Sequence, residues 1–223
     1  LQDAGFASGD AIQAAWVGNC LMHAWGQGCI RGNVLFTPLV REGLFPKRVP
    51  IVNVEGGCAT ASLALQGAFK EIRAGDADVT FALGIEKLYD PTDPTRMFKA
   101  MEGGIDMLDP QEWRDHYAQM GQLVGKPFEP STERSMGMDT YAIQARVHMQ
   151  RYGTTAAQIA YAAAKNHCHA VHNPKAQYRF EMTPEQVLQD RMVTDPLTRA
   201  MCAPMGDGAA AALLCSEQYL KKG

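Results

Sequence analysis

The sequence encodes an α/β fold interrupted by a mostly helical insert. Short apolar runs alternate with helical patterns over the first 87 residues, and the pattern then changes to a proline-rich stretch followed by helices. Alternation resumes in a turn and a small-residue strand after residue 198. The expected division is therefore 1–87 for the first part of the α/β core, 88–198 for the insert and 199–223 for the return to the sheet.

Leu1-Gln2-Asp3-Ala4-Gly5-Phe6 reads as the end of a helix with its terminating glycine. Ile12 to Val17 follows as a strand, Arg31 to Leu44 as a helix, and Val49 to Val54 as a buried strand. Cys58 to Ala74 reads as a helix on which Leu65, Ala68, Phe69 and Ile72 share a face, and its alanine-rich turns let it lie close to a sheet. Asp78 to Ile85 is the next strand. From Tyr89 to Pro130, five prolines and few periodic apolar runs predict a long surface excursion. Helical spacing returns from Met136 to Tyr152, with Gly153 placed as a stop. Thr155 with Gln158, and Thr183-Pro184 with Gln186, are start signals for two more helices. Met201 to Cys215 then forms a turn and a strand.

Composition narrows the function classes. With 223 residues, 46% hydrophobic and 20% charged, the chain builds a sizeable core and is not disordered. A net charge of −3 supplies no global attraction to nucleic acid or to an anionic membrane, and no apolar run is long enough to span one. Six cysteines without CxxC spacing read as reduced thiols of a cytoplasmic-type compartment. Charge is segregated inside the insert. Residues 86–133 carry ten acids against five bases, whereas residues 134–179 carry six bases against Asp139 alone. Such a positive field suits a phosphorylated ligand, although solvated helix faces explain any single residue better.

The chemistry centres on Cys58, in Asn53-Val54-Glu55-Gly56-Gly57-Cys58-Ala59-Thr60-Ala61-Ser62. Here a strand stops and a helix starts. Two glycines permit a sharp turn, and unpaired N–H groups and the helix dipole favour a thiolate. From these residues alone, an activated nucleophile and a small inert thiol are equally good readings. His167-Cys168-His169 with His172 offers metal-ligand types at the wrong spacing, since only His169 and His172 are helix neighbours. No G-x-S-x-G elbow is present, and Gly26-Gln27-Gly28 lacks the third glycine of a dinucleotide loop.

Four segments together resemble the thiolase superfamily, and more closely its sterol-carrier or lipid-transfer type, named acetyl-CoA acetyltransferase-like. They are the Asn53–Ser62 nucleophile segment, Phe81-Ala82-Leu83-Gly84-Ile85-Glu86-Lys87, the pair Tyr152-Gly153 and Lys165–His169 with Asn173-Pro174, and Met201–Pro204 running to Asp207-Gly208-Ala209-Ala210-Ala211. The resemblance covers essentially the whole chain. It implies a thiolase-like N-terminal half, a mixed sheet layered with helices, whose insert is the family's loop domain. It also implies that Cys58 takes an acyl group from a 3-ketoacyl-CoA and passes it to free coenzyme A. Coenzyme A is then a substrate and no cofactor is permanently bound, with Arg134 and Arg146 as expected contacts to its phosphates.

Further expectations follow from the same resemblance. The activity would be degradative, of the β-oxidation kind, on a branched, steroid or aryl acyl chain such as a benzoylsuccinyl-CoA. A thiolase-like aldol lyase and a non-catalytic CoA-thioester scaffold are the alternatives. The partners would be a second copy paired near residues 49–60 and a small zinc-ribbon and OB-fold subunit. The family's second half, with its Gly-His-Pro and Cys-x-Gly segments, has no counterpart here, and neither Cys202 nor Cys215 fits the second catalytic cysteine. The chain is thus expected to be part of a longer subunit and inactive alone.

Overall fold

The computed structural model describes residues 1–93 and 95–222. The chain divides into two compact units, one formed by residues 1–89 and 206–223 and the other by residues 90–205.

The first unit is a four-stranded sheet between helices. Its strands are β1 (Ala14–Gly18), β2 (Ile51–Val54), β3 (Val79–Glu86) and β6 (Gly208–Cys215), in the order β2-β1-β3-β6. β1 is parallel to both β2 and β3, whereas β6 returns antiparallel to β3. Successive strand side chains point to opposite faces, so two helices can cover the sheet. On one face, helix α1 (Arg31–Arg41) brings Phe36 against Ala15 and Val17, and Phe36 stacks on Phe45 at 4.1 Å with Phe81 edge-on to both. On the other face, helix α2 (Thr60–Ala74) buries Thr60, Ala64, Gly67 and Ala68. Short helix α8 (Glu217–Leu220) follows β6.

Small residues let α2 approach closely. A Cβ on Gly18 would lie 2.7 Å from the Thr60 carbonyl oxygen, and one on Gly67 would lie 2.1 Å from the Trp16 ring. This closeness corrects the expected helix face. Of Leu65, Ala68, Phe69 and Ile72, only Ala68 is buried; Leu65 and Phe69 are 45% and 49% exposed, because large side chains do not fit between helix and sheet. β2 is likewise half-buried instead of buried, since it has a neighbour on one side only. The strand expected at Ile12–Val17 starts at Ala14, the helix expected to reach Leu44 ends at Arg41, and the opening segment is a 3₁₀ turn closed by Gly5 at φ 75°.

The second unit is mostly helical. It contains α3 (Arg96–Met101), α4 (Pro110–Leu123), α5 (Met136–Tyr152), α6 (Ala156–Ala170) and α7 (Pro184–Gln189), then a small antiparallel pair, β4 (Met192–Thr194) and β5 (Leu197–Thr198). The stretch from Tyr89 to Pro130 is therefore not a bare excursion. Asp109 accepts from the Gln111 N–H to cap α4, Pro110 occupies its first turn, and Trp113 and Tyr117 form an aromatic cluster with Phe128. Both expected capping boxes are present, at Thr155 with Gln158 and at Thr183 with Gln186. No helix among the described residues is long and apolar enough to cross a membrane.

Candidate active site

The carboxyl ends of β1, β2 and β3 lie at one edge of the sheet, and each delivers polar groups there. β1 leads to Asn19 and Cys20, β2 to Glu55 and the Cys58 turn, and β3 to Glu86. This is where open α/β sheets place their ligands.

Cys58 is exposed in a 3₁₀ turn, Gly57–Ala59, directly ahead of α2. The helix proper starts at Thr60, two residues later than expected, because Gly57 holds φ at 56°, where glycine is favoured. Thr60 fastens the turn. Its hydroxyl donates to the Gly57 carbonyl at 2.6 Å and accepts from the Gly56 N–H at 2.9 Å. The Thr60 N–H donates to the Gly57 carbonyl, and the α2 N-cap, Ala59, supplies no side-chain oxygen to the N–H groups that follow it.

Around this turn runs a network that sequence reading did not identify. Arg31, at the start of α1, donates through Nη1 to the Asn19 carbonyl at 2.6 Å and to Glu55 Oε2 at 2.8 Å, joining the ends of β1 and β2. The Asn19 side chain donates to the Ile85 carbonyl at 2.7 Å and accepts from the Met22 N–H at 3.1 Å. Glu86 accepts from the backbone N–H groups of Cys20 and Leu21. Cys20 Sγ lies 3.9 Å from Glu55 Oε1, and burial, reinforced by Glu55 and Glu86, pushes its thiol pKa up. A cleft of about 170 Å³ opens here, lined in part by Asn19, Ile30, Arg31, Asn53 and Glu55. Ile30 holds a left-handed φ of 43° at its rim, an uncommon conformation for a β-branched residue. Glu55 belongs to the Asn53–Ser62 segment, whereas Arg31 and Asn19 carry no local sequence signal.

A second polar tie lies near the point where the chain leaves and re-enters this unit. Asp207 accepts from the Leu88 and Tyr89 N–H groups at 2.7 and 2.8 Å and from Lys87 Nζ at 2.5 Å. These donors hold its carboxyl pKa down at about 2. Lys87 Nζ also stands 5.0 Å from the Trp25 ring centroid.

In the second unit, the two expected phosphate contacts are each already paired. Arg134 binds Asp139, which is only 4% exposed, at 2.6 Å. Arg146 binds Asp195, whose backbone carbonyl accepts from Lys126. Burial lowers the Lys126 pKa, opposed by Asp195 and assisted by Arg146. The Arg146 Nε is buried without a partner. His167 is packed against Phe180, with ring centroids 5.2 Å apart, and its Nε2 lies 3.1 Å from the Ala200 carbonyl oxygen. Among the described residues no cluster of three or more His, Cys, Asp or Glu could hold a metal. Cys215 pairs opposite Val79 at the far end of the sheet from Cys58, and Cys202 belongs to the other unit.

Residues 1–218 match the family description "Thiolase, N-terminal domain". The acetyl-CoA acetyltransferase of Methanothermobacter thermautotrophicus is 36% identical over 217 residues, covering 96% of this chain and 49% of that protein. Sterol carrier protein 2 of Gallus gallus is 33% identical over 224 residues, covering 100% of this chain and 36% of that protein. The chain thus spans between about a third and a half of these relatives. Among solved structures, the Ltp2–ChsH2(DUF35) aldolase superposes with a TM-score of 0.67 at 19% identity, over 99% of this chain and 48% of that one. The Acat5 thiolase of Ascaris suum in complex with coenzyme A superposes at 0.55 and 18% identity, over 99% and 58%. The chain belongs to the thiolase N-terminal domain family.

Proposed function

We propose that the chain is the nucleophile-bearing part of a thiolase-type acyltransferase in which Cys58 accepts an acyl group from a 3-ketoacyl-CoA. One observation carries the reading: an exposed thiol held on a glycine turn at the start of an uncapped helix, at the carboxyl edge of a parallel sheet. The Cys58 thiolate attacks the 3-keto carbonyl, the C–C bond breaks to leave an acyl-cysteine and an acyl-CoA enolate that is protonated, and the thiolate of free CoA then removes the acyl group. The 223-residue chain alone is proposed to accept an acyl group without turning over. The substrate we propose is branched, steroid or aryl, in a cytoplasmic degradative pathway.

Arg134 and Arg146 are the proposed holders of CoA phosphate, with Arg146 favoured because its carboxylate partner is exposed. β2 is an edge strand, consistent with pairing to a second copy. The assembly named in the Ltp2–ChsH2(DUF35) aldolase supports a small partner subunit and a second reading, aldol-type C–C cleavage by the same fold.

Mass spectrometry after mixing the protein, as it occurs in its source, with an acyl-CoA tests the reading. The acyl group should appear on Cys58 and be lost in Cys58→Ala. Labelling at another residue, or none, removes the acyltransferase reading, and C–C cleavage that survives Cys58→Ala selects the lyase.

A further inference from the structure

Cys20 is a second thiol at the edge that carries Cys58, and acyl transfer through Cys58 gives it no task. The geometry brings the two together. Gly18 and Thr60 are in backbone contact, since a Cβ on Gly18 would meet the Thr60 carbonyl oxygen at 2.7 Å. Gly18 is the last residue of β1, and Cys20 follows it by two residues. Thr60 is the first residue of α2, and Cys58 precedes it by two residues in the turn beside that contact. Cys20 Sγ also lies 3.9 Å from Glu55, three residues ahead of Cys58 in the same turn.

The electrostatics agree. Burial is the main cause that raises the Cys20 pKa, followed by Glu55 after β2 and Glu86 of β3, with Arg31 of α1 opposing and Cys58 adding last. Cys58 is exposed, whereas Cys20 is half-buried, so an oxidant from solvent meets Cys58 first. The other cysteines are less well placed. Cys215 is at the opposite end of the sheet, Cys168 and Cys202 belong to the second unit, and exposed Cys29 lies at the far end of the β1–α1 connection that begins with Cys20, just before α1.

We propose that Cys58 and Cys20 are an oxidative modification site, in which a hydroperoxide converts them to a reversible Cys20–Cys58 disulfide. The Cys58 thiolate attacks the outer oxygen of the hydroperoxide, whose O–O bond breaks, leaving Cys58 as a sulfenic acid and releasing the alcohol, or water from hydrogen peroxide itself. Cys20 sulfur then attacks Cys58 sulfur; the S–S bond forms, and the Cys58 hydroxyl leaves with the Cys20 proton as water. The two sulfurs together lose two electrons, which reduce the peroxide. The disulfide protects Cys58 from irreversible oxidation to sulfinic acid, and it blocks the acyl acceptor until a thiol reductant opens it. Only that last consequence rests on the acyltransferase reading.

Peptide mapping under non-reducing conditions tests the pair. The protein is treated with several equivalents of hydrogen peroxide, enough to carry an unprotected thiol to sulfinic acid, its remaining thiols are blocked with N-ethylmaleimide, and it is digested. The expected product is a Cys20–Cys58 cross-linked peptide as the dominant disulfide, absent after dithiothreitol; Cys20→Ser should instead carry Cys58 to sulfinic acid. Cys58 paired with Cys29, or oxidised to sulfinic acid while Cys20 takes the maleimide, overturns the inference. The wild-type map suffices should the variant fail to fold. A protein that forms this cross-link but takes no acyl group keeps the inference and loses the acyltransferase reading.

Discussion

The Trp16 indole lies directly under Gly67, so close that a Cβ on the glycine would fall 2.1 Å from a ring carbon. Trp16 is held in place from its far edge, where Nε1 donates to Glu71 Oε1 at 2.9 Å, one helical turn along α2 from Gly67. The ring cannot give way without losing that bond. Gly67→Ala should therefore destabilise the protein by about 1–3 kcal/mol, the usual cost of overpacking, despite alanine's better helix propensity. Urea unfolding followed by tryptophan fluorescence measures it; a neutral or stabilising result would show that α2 can lift off the sheet.

Asp207 gives a pH prediction of definite sign. Its folded pKa is depressed from 3.8 to about 2 by the Lys87, Tyr89 and Leu88 donors. The unfolded carboxylate binds protons more readily, so the contribution of these bonds is fully present above pH 3.8 and is lost as pH falls towards 2. Asp207→Asn should flatten the acid limb of the stability curve over that window. Thermal melts of wild type and variant at several pH values between about 2 and 5 would show it, and parallel acid limbs would remove Asp207 from the account.

Much of this architecture is legible locally. The Thr155 and Thr183 capping boxes, and Gly153 as a helix stop, are short-range chemistry and sit where spacing places them. α4 escaped because a polar helix that buries few residues has weak periodicity, and its prolines read as breakers although Pro110 starts it. The half-exposed state of β2 depends on strand order, which no local pattern contains. The site divides in the same way. Cys58 and its glycines form one segment, whereas Arg31 meets Glu55 across 24 residues of sequence and Asn19 meets Ile85 across 66. Those pairings exist only once the strands have assembled.

Thr60 is the fastening of the Cys58 turn, and it is only 5% exposed. Valine matches its shape but removes both hydroxyl bonds and leaves the Gly56 N–H without its acceptor. Thr60→Val should cost about 1–3 kcal/mol and slow acylation of Cys58, whereas Thr60→Ser should keep both properties near wild type. Chemical denaturation and the rate of acyl-cysteine formation are the two readouts. Equal acylation rates in all three proteins would separate the turn from the chemistry.

Arg134 and Arg146 should separate into a structural and a ligand-facing cation. Arg134 neutralises Asp139, which is 4% exposed, so Arg134→Met leaves a buried carboxylate held by the Ser131 N–H at 3.3 Å. The expected loss is near the lower end of the about 3–5 kcal/mol seen when one member of a buried pair is removed. Arg146 pairs with an Asp195 side chain that is 52% exposed, so solvent can replace it and Arg146→Met should cost under about 1 kcal/mol. In the full protein, Arg146→Met should raise the KM for coenzyme A several-fold at unchanged kcat, and Arg146→Lys should restore part of it. Unfolding curves and steady-state kinetics on both variants decide the division; an unaffected KM in Arg146→Met would place the phosphates elsewhere.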